Sequence, residues 1–198
     1  MRISGILLAS GASRRLGKPK QLLIWHGDCL INSIVKTIKA SKIDDFYIIL
    51  GSAYQEISNA VDDKYAILIN PDWQVGKSSS MKRGIQEIKG KSDAALFFTT
   101  DQPFLSTILI DEIIHTANIF TASAIATRVN GTVTVPMLFK KDLFSQIEAL
   151  KAEEGGKAIL GRFEKLTEFV DWNDERLLFD IDTEEDFHNA QALDLEIP

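Results

Sequence analysis

The sequence predicts an α/β fold: a single three-layer, Rossmann-like domain with a mostly parallel sheet and helices on both faces. Apolar runs of strand length alternate with amphipathic segments of helix length along the chain. The chain has 198 residues, of which 45% are hydrophobic, so it can bury a sizeable core. No repeat, low-complexity tract or Pro/Gly-rich linker interrupts it. We therefore expect residues 1–198 to form one domain.

The first half of the chain alternates strands with helices, which predicts parallel strands joined by right-handed crossovers. Its strand-like runs are ISGILLA (3–9), DFYIILG (45–51), AILIN (66–70) and AALFFTTD (94–101). Its helical patterns are INSIVKTIKAS (31–41), SSSMKRGIQEIK (78–89) and STILIDEIIHTAN (106–118). We expect the opening serines of the second helix, and Ser106 of the third, to act as N-caps. The run at 94–101 is the most apolar and is expected at the centre of the sheet.

The second half adds a hairpin and further helices. Asn130-Gly131 is a strong turn signal between two strand-like runs. The predicted strands are ASAIATRV (122–129), TVTVPMLF (132–139), LTEFVDW (166–172) and LLFDID (177–182). The predicted helices are KDLFSQIEALKA (141–152), GGKAILGRF (155–163) and TEEDFHNAQAL (183–193).

The distribution of charge is uneven. The formal net charge is −6, with 28 acidic and 22 basic side chains, which argues against nucleic acid as a general partner. Yet LLASGASRRLGKPKQLL (7–23) carries Arg14, Arg15, Lys18 and Lys20 with no acid among them. We interpret this cluster as a site for a small anion, although a solvated turn with surface charges is the alternative.

The remaining bulk features favour a cytoplasmic protein without a membrane partner. The apolar run at 3–9 is too short to cross a membrane, and the cluster of basic residues follows it rather than precedes it. The single Cys29 excludes an internal disulfide and a cysteine-rich metal site.

Small residues at positions 9–13 suit a phosphate-binding loop. Ala9, Ser10, Gly11, Ala12 and Ser13 would let backbone N–H groups approach an anion closely. The basic side chains that follow would contribute forked and point-charge contacts to phosphate oxygens. The loop matches neither GxGxxG nor GxxxxGK[ST], so neither the dinucleotide fingerprint nor the P-loop is present.

Acidic residues near two strand ends suggest a metal site. Asp101 ends the predicted central strand in TTDQP, where a carboxylate could hold Mg²⁺ or could cap a turn. Asp180 and Asp182 flank Ile181, so in an extended segment they point to opposite faces. Asp182 could instead cap the last helix, with Glu185 completing a capping box.

Taken together, these motifs resemble the signatures of the MobA-like nucleotidyltransferases. The opening loop resembles LAAGxSxRMGxxKxLL, with Arg15 and Lys20 on its basic positions. GKSSSMKRGI is similar to GMSSSLxxGL, TTDQPF to GDQPxL, VPMLFKKDLFSQIEAL to the Pro-x-x-Phe segment, and DIDTEEDF to DIDTPEDL. The serine run and the DQP motif are most similar to the molybdenum cofactor cytidylyltransferases. Ser10, Lys77, Glu154 and Lys157 depart from the branch pattern.

The resemblance implies roles for individual residues. It implies catalytic roles for Arg15, Lys20 and Asp101, and Mg²⁺ on Asp101 with the help of Asp180. It implies that the nucleotide is bound by Leu8, Ala9, Ser10, Gly11, Ala12, Ser13, Arg15, Lys20, Ser78, Ser79 and Ser80.

The resemblance also implies an activity: transfer of CMP from CTP to the terminal phosphate of a molybdopterin-type cofactor, with an acceptor molybdoenzyme as a further partner. Alternatives of the same fold use GTP or another nucleoside triphosphate, or a sugar or alcohol phosphate as acceptor. A non-catalytic protein that delivers a cofactor is another alternative. A nicotinamide-dependent oxidoreductase is disfavoured because the glycine fingerprint is missing.

Overall fold

A seven-stranded sheet organises the chain in the computed structural model, which describes residues 1–61 and 65–195. The strands of this sheet are β1 (Ile3–Ala9), β4 (Asp45–Leu50), β5 (Ala66–Ile69), β6 (Ala94–Thr99), β7 (Ala124–Val129), β8 (Thr132–Lys140) and β9 (Thr167–Asp171). A separate two-stranded ribbon consists of β2 (Ile24–Trp25) and β3 (Asp28–Cys29).

The α-helices lie between these strands in the chain. They are α1 (Leu30–Lys39), α2 (Tyr54–Ala60), α3 (Lys77–Ile88), α4 (Thr107–Ile119), α5 (Phe144–Glu148), α6 (Gly156–Arg162) and α7 (Glu184–Leu195). Short 3-10 turns complete the connections, including one at Glu175–Leu178. No helix among the described residues has the length and apolar character that a membrane crossing requires.

The strand order is β5-β4-β1-β6-β8-β7-β9. β1 pairs in parallel with β4 and β6, β5 is parallel to β4, and β9 is parallel to β7. β8 alone runs antiparallel to its two neighbours, β6 and β7. The mostly parallel sheet is therefore confirmed, and β6 lies at its centre as the apolar run predicted.

Side chains alternate between the two faces of the sheet and form two cores. On β6, Leu96 and Phe98 belong to one core, whereas Phe97 belongs to the other. Helices α1 and α4 supply the first core, and α3, α5 and α6 supply the second. Coverage of both faces explains why the parallel strands are continuous apolar runs, and it confirms the three layers.

Several local predictions are confirmed. Asn130 and Gly131 form the hairpin turn with φ of 48° and 79°, as a turn of this kind requires. Ser106 caps α4 by accepting a hydrogen bond from the N–H of Ile108 at 3.2 Å.

Other local predictions are wrong. LLFDID is a 3-10 turn followed by an extended segment outside the sheet, not a strand. The helix predicted over 141–152 is only the five-residue α5 after a short 3-10 turn. The serines of α3 do not cap it, because the helix begins at Lys77 and Gly76 occupies the N-cap position. Helix α2 was not predicted.

Helix α3 packs closely against β1 at Gly84 and Ile6. A Cβ on Gly84 would lie 2.8 Å from Cγ2 and 2.9 Å from Cδ1 of the buried Ile6. Gly84→Ala should therefore lower the free energy of unfolding by about 1–3 kcal/mol, because the extra methyl group overpacks the core.

Gly161→Ala is the matched control for this substitution. Among the described residues, no neighbouring group lies within 4 Å of a Cβ at this position in α6, so the gain in helix propensity should raise stability by about 0.5–1 kcal/mol. Urea unfolding measures both variants. If Gly84→Ala were stabilised as much as the control, the close packing of α3 on β1 would be incorrect.

Candidate active site

A cavity of about 560 Å³ lies at the carboxyl ends of β1 and β6. The loops that follow β1, β5 and β6 all contribute to it, as expected for the ligand site of a parallel sheet. The predicted site residues that line it are Leu8, Ser10, Gly11, Ala12, Ser13, Arg15, Lys20, Ser80 and Asp101. Ala9, Ser78 and Ser79 do not line this cavity, and Asp180 lines an adjoining one.

Lys20 is the buried cation of the site. Only 8% of the residue is exposed. Its Nζ lies 2.8 Å from Asp182 Oδ1 and 3.7 Å from Asp101 Oδ2. The ammonium group therefore joins the end of β6 to the segment before α7 and offsets the negative charge of both carboxylates.

Asp182 also holds Arg15, whose Nη2 donates to Asp182 Oδ2 at 2.5 Å. Burial alone would raise the pKa of Asp182, but the hydrogen bonds and charges of Lys20 and Arg15 outweigh it, and the pKa is lowered. Asp182 thus stays ionised and orients the two basic side chains that the sequence assigned to phosphate binding.

The capping role considered for Asp182 is wrong. Thr183 Oγ1 instead accepts from the N–H of Asp186 at 3.1 Å, and the Asp186 carboxylate accepts from the N–H of Thr183 at 2.8 Å. This reciprocal pair is a capping box displaced by one residue, with Asp186 in the place expected for Glu185.

Asp180 has a different electrostatic environment. Desolvation, followed by the negative charge of Asp101, raises the pKa of Asp180 to about 6. The charge of Asp182 acts in the same direction. Asp180 is nevertheless an exposed residue, so solvent screens part of this repulsion. A cation bound beside Asp101 and Asp180 would relieve this repulsion.

The adjoining cavity has a volume of about 280 Å³ and a more apolar lining. Five residues border both cavities: Leu8, Lys77, Thr99, Asp101 and Glu153. Apolar side chains such as Phe97, Met137 and Phe139 line the smaller cavity, together with Lys157 and Asp180. Asp101 therefore stands where two neighbouring ligand sites would meet.

The serines of α3 belong to a hydrogen-bond network beside the opening loop. Ser10 Oγ and Ser80 Oγ are 2.5 Å apart, and Asn70 Nδ2 donates to Ser79 and Ser80 at 2.9 Å each. Asn70 was missed by the sequence reasoning, although its position directly after β5 could have drawn attention to it. Ser78 is buried, and its Oγ has no hydrogen-bond partner in the described part of the chain.

Carboxylates dominate the possible metal ligands. Within residues 1–61 and 65–195 there is no group of three or more His, Cys, Asp or Glu side chains placed to hold a metal ion. Asp101 with Asp180 or Asp182 matches the ligand set of Mg²⁺, which commonly binds one or two carboxylates and completes its shell with water and substrate phosphates.

A larger cavity, of about 710 Å³, lies along β9 and contains no predicted site residue. Its charged lining is entirely acidic: Glu112, Glu168, Asp171 and Asp174. Arg128 and Arg176 pair with two of these acids, but among the described residues no basic side chain lines the cavity to attract a phosphate. We therefore assign the candidate active site to the cavity with Lys20 and Arg15.

Comparison with known proteins gives a family match. A family model described as the MobA-like NTP transferase domain matches residues 5–167. The chain is 27% identical over 194 residues to nicotine blue oxidoreductase from Paenarthrobacter nicotinovorans, covering 94% of this chain and 95% of that protein. It is 24% identical over 196 residues to purine catabolism protein PucB from Bacillus subtilis, covering 92% and 93%.

Solved structures share the fold. Rv0371C from Mycobacterium tuberculosis in complex with manganese superposes with a TM-score of 0.82 at 19% identity, covering 96% of this chain and 98% of that one. Molybdopterin-guanine dinucleotide biosynthesis protein A from Archaeoglobus fulgidus gives a TM-score of 0.75 at 13% identity, covering 98% and 100%.

The raised pKa of Asp180 predicts a pH-dependent contribution to stability. In the metal-free folded protein Asp180 keeps its proton up to about pH 6, whereas the unfolded chain releases it near the ordinary value of 3.8. The folded state binds more protons in this window, so the stability that Asp180 contributes falls as the pH rises through it.

Asp180→Asn should therefore gain thermal stability relative to wild type as the pH rises from about 4 to about 7, with EDTA present. Calorimetric Tm values of both proteins across this range provide the measurement. A constant difference in Tm would show that the environment does not raise the pKa of Asp180.

Proposed function

This chain belongs to the MobA-like NTP transferase family, and from that premise we propose that it transfers CMP from CTP to the terminal phosphate of a molybdopterin-type cofactor. The reaction would require Mg²⁺ and would release pyrophosphate. The observation that carries this proposal is the position of Asp101, which borders both cavities and lies 3.7 Å from the buried ammonium group of Lys20.

The larger of these two cavities suits the nucleotide, and its polar residues suit a triphosphate. The side chains of Arg15 and Lys20 supply positive charge, and small residues of the opening loop supply a backbone that a ligand can approach closely. Asp182 accepts from both basic side chains, so the buried charge of Lys20 is in position before the nucleotide binds and Arg15 is held nearby.

The chemistry is a direct displacement. A phosphate oxygen of the acceptor attacks the α-phosphorus of CTP, the bond to the bridging oxygen of the β-phosphate breaks, and pyrophosphate leaves with the bonding electrons. A phosphate monoester is largely ionised near neutral pH, so the acceptor needs no general base. Lys20 and Arg15 stabilise the negative charge that develops on the leaving pyrophosphate, and the two adjoining cavities hold the reactants in line.

Asp101 and Asp180 would hold Mg²⁺, and Asp182 is a second candidate for the role of Asp180 because it already shares the cation Lys20 with Asp101. When bound, the ion would draw charge from the phosphate oxygens. The elevated pKa of Asp180 fits a carboxylate that needs a nearby cation.

The smaller cavity would receive the acceptor. Its aromatic and sulfur-containing side chains suit the flat face of a ring, and Lys157 offers a charge for an anionic group. A sugar or alcohol phosphate is the alternative acceptor, and an acceptor molybdoenzyme would be the next partner. A delivery protein without catalysis would need Lys20 and Arg15 for binding but would not need Asp101.

A second candidate reaction comes from the relative named nicotine blue oxidoreductase. A protein acting in that way would transfer electrons to or from its substrate, and a nicotinamide-dependent oxidoreductase is the form of this reaction that the assay tests. The opening loop SGASRR lacks the GxGxxG fingerprint of dinucleotide folds, so we place this candidate second. An absorbance assay of NADH and NADPH consumption in the same samples separates the two reactions.

The metal role of Asp101 predicts a specific loss. Asp101→Asn should lower Mg²⁺-dependent release of pyrophosphate by about 100-fold or more while the fold is retained, because the change is nearly isosteric. Asp111→Asn on α4 is the control and should remain fully active. Turnover of Asp101→Asn close to that of the control would remove Asp101 from the site.

Substitution of the two adjacent arginines should have different effects on kcat. Arg15→Ala should lower kcat by about 10-fold or more, since Asp182 holds Arg15 beside Lys20. Arg14→Ala should have much less effect, although Arg14 also borders the cavity. Steady-state kinetics of both variants measures these effects. If the two variants lost the same activity, the alignment of the opening loop with the family motif would be displaced by one residue.

The nucleotide specificity is the direct test of the proposed function. We expect kcat/KM to be higher for CTP than for UTP, GTP or ATP with a molybdopterin-type acceptor, because the Cβ of Ser10 narrows the space for a purine. Shape discrimination of this kind is worth about 1–3 kcal/mol, so some use of other nucleotides is expected. Ser10→Gly should raise the use of GTP. A value for GTP that equals or exceeds that for CTP would refute the assignment.

A further inference from the structure

We propose that Gln21 is a positioning residue whose side-chain amide fixes the nucleotide loop, defined as residues 9–13. The inference rests on the proposed function, because it concerns the loop that would hold the nucleotide. Gln21 is 1% exposed, and its Nε2 donates to the carbonyl oxygens of Ala9 at 2.9 Å and Gly11 at 3.4 Å. One amide group thus joins two peptide units of the loop.

The orientation of this amide is determined by its partners. Carbonyl oxygens only accept hydrogen bonds, so the NH₂ group of Gln21 must face Ala9 and Gly11. Its Oε1 is consequently left buried without a hydrogen-bond partner in the described part of the chain. A buried acceptor without a partner lowers stability, and Gln21 also borders the nucleotide cavity, but its NH₂ group is engaged by the loop carbonyls, so we assign it the role of holding the loop.

Three consecutive carbonyl groups of the loop are held by the protein. In addition to those of Ala9 and Gly11, the carbonyl of Ser10 accepts from the N–H of Ser52 at 3.0 Å. In a planar trans peptide the C=O and the following N–H point in opposite directions. The N–H groups of Ser10, Gly11 and Ala12 are therefore directed away from these partners, and all three residues line the nucleotide cavity.

A second side-chain amide, that of Asn70, holds the same loop through the side chain of Ser10. Asn70 is 3% exposed and donates to both Ser79 and Ser80, while its Oδ1 accepts from the N–H of Asp72 at 3.0 Å. Ser80 Oγ in turn lies 2.5 Å from Ser10 Oγ. Gln21 thus fixes the backbone of the loop, and Asn70 fixes the side chain of Ser10 through Ser80.

The consequence is a loop that is ordered before the nucleotide arrives. A preorganised loop loses little conformational entropy on binding, so the nucleotide is bound more tightly than by a mobile loop. Loss of the Gln21 amide should therefore weaken nucleotide binding and reduce discrimination between bases. The reacting groups near Asp101 are left in place, so kcat should change much less than KM.

Gln21→Met tests this inference because it keeps the length of the side chain and removes the NH₂ group. The probe is CTP with Mg²⁺, and calorimetry measures its Kd. We expect Kd to rise by about 10-fold, equivalent to 1.4 kcal/mol, and the preference for CTP over GTP to shrink. In turnover assays KM for CTP should rise by a similar factor while kcat stays within about twofold of wild type.

Asn32→Leu is the matched control. Asn32 also donates from a partly buried amide to a backbone carbonyl, that of Ala60 at 3.0 Å, but it borders neither of the two cavities. This variant should lose thermal stability and keep the wild-type Kd for CTP. Wild-type affinity in Gln21→Met, whatever its Tm, would overturn the inference.

Two further outcomes separate this inference from the proposed function. NMR relaxation of the nucleotide-free wild type should give rigid backbone order parameters, about 0.85, for residues 9–13, and values below about 0.6 would overturn the inference even if Gln21→Met fails to fold. Wild-type protein that binds CTP but catalyses no transfer would refute the proposed function alone. Wild-type protein that binds no nucleoside triphosphate would refute both.

Discussion

The site depends on the burial of one ammonium group. The side chain of Lys20 is 10% exposed, and it lies between Asp182 and Asp101. A buried charge is costly unless opposite charges surround it, so the segments that carry these three residues must meet in the folded protein. Lys20 and Asp182 are 162 residues apart in the chain. Their contact holds the segment before α7 against the edge of the sheet at which both cavities lie.

The two basic side chains of this ion cluster, Arg15 and Lys20, differ in their exposure to solvent. The Arg15 side chain is 69% exposed, so an incoming triphosphate could take it from Asp182 with little rearrangement. Lys20 is held between two carboxylates and stays in place. Under the proposed function, one basic side chain adapts to the nucleotide and the other remains fixed beside Asp101, while the buried amides of Gln21 and Asn70 fix the loop opposite them.

The sequence predicts those features of this arrangement that follow from local patterns of residues. β1 and β6 are continuous apolar runs because both of their faces are buried, and their carboxyl ends then place Lys20 and Asp101 on one edge. The predictions that were wrong concern segments whose structure is determined by contacts with residues distant in the chain. Gly76 is the N-cap of α3 with φ of 121°. A Cβ there would lie 2.6 Å from the backbone of Ala152, a neighbour that no local pattern contains. LLFDID alternates like a strand, but Ile181 donates to the carbonyl of Asp101 and the segment crosses the end of the sheet.

Direct transfer at Asp101, between two adjoining cavities, can be tested by the stereochemistry at the α-phosphorus. The substrate would be an analogue of CTP in which sulfur replaces one non-bridging oxygen of the α-phosphate, used as a single diastereomer. The analogue would be turned over with the acceptor, and the configuration at phosphorus in the product would be determined by NMR. A single in-line displacement inverts the configuration, and inversion is the result we predict. Retention would require two displacements through a covalent enzyme intermediate and would contradict a site in which the acceptor reaches the nucleotide directly.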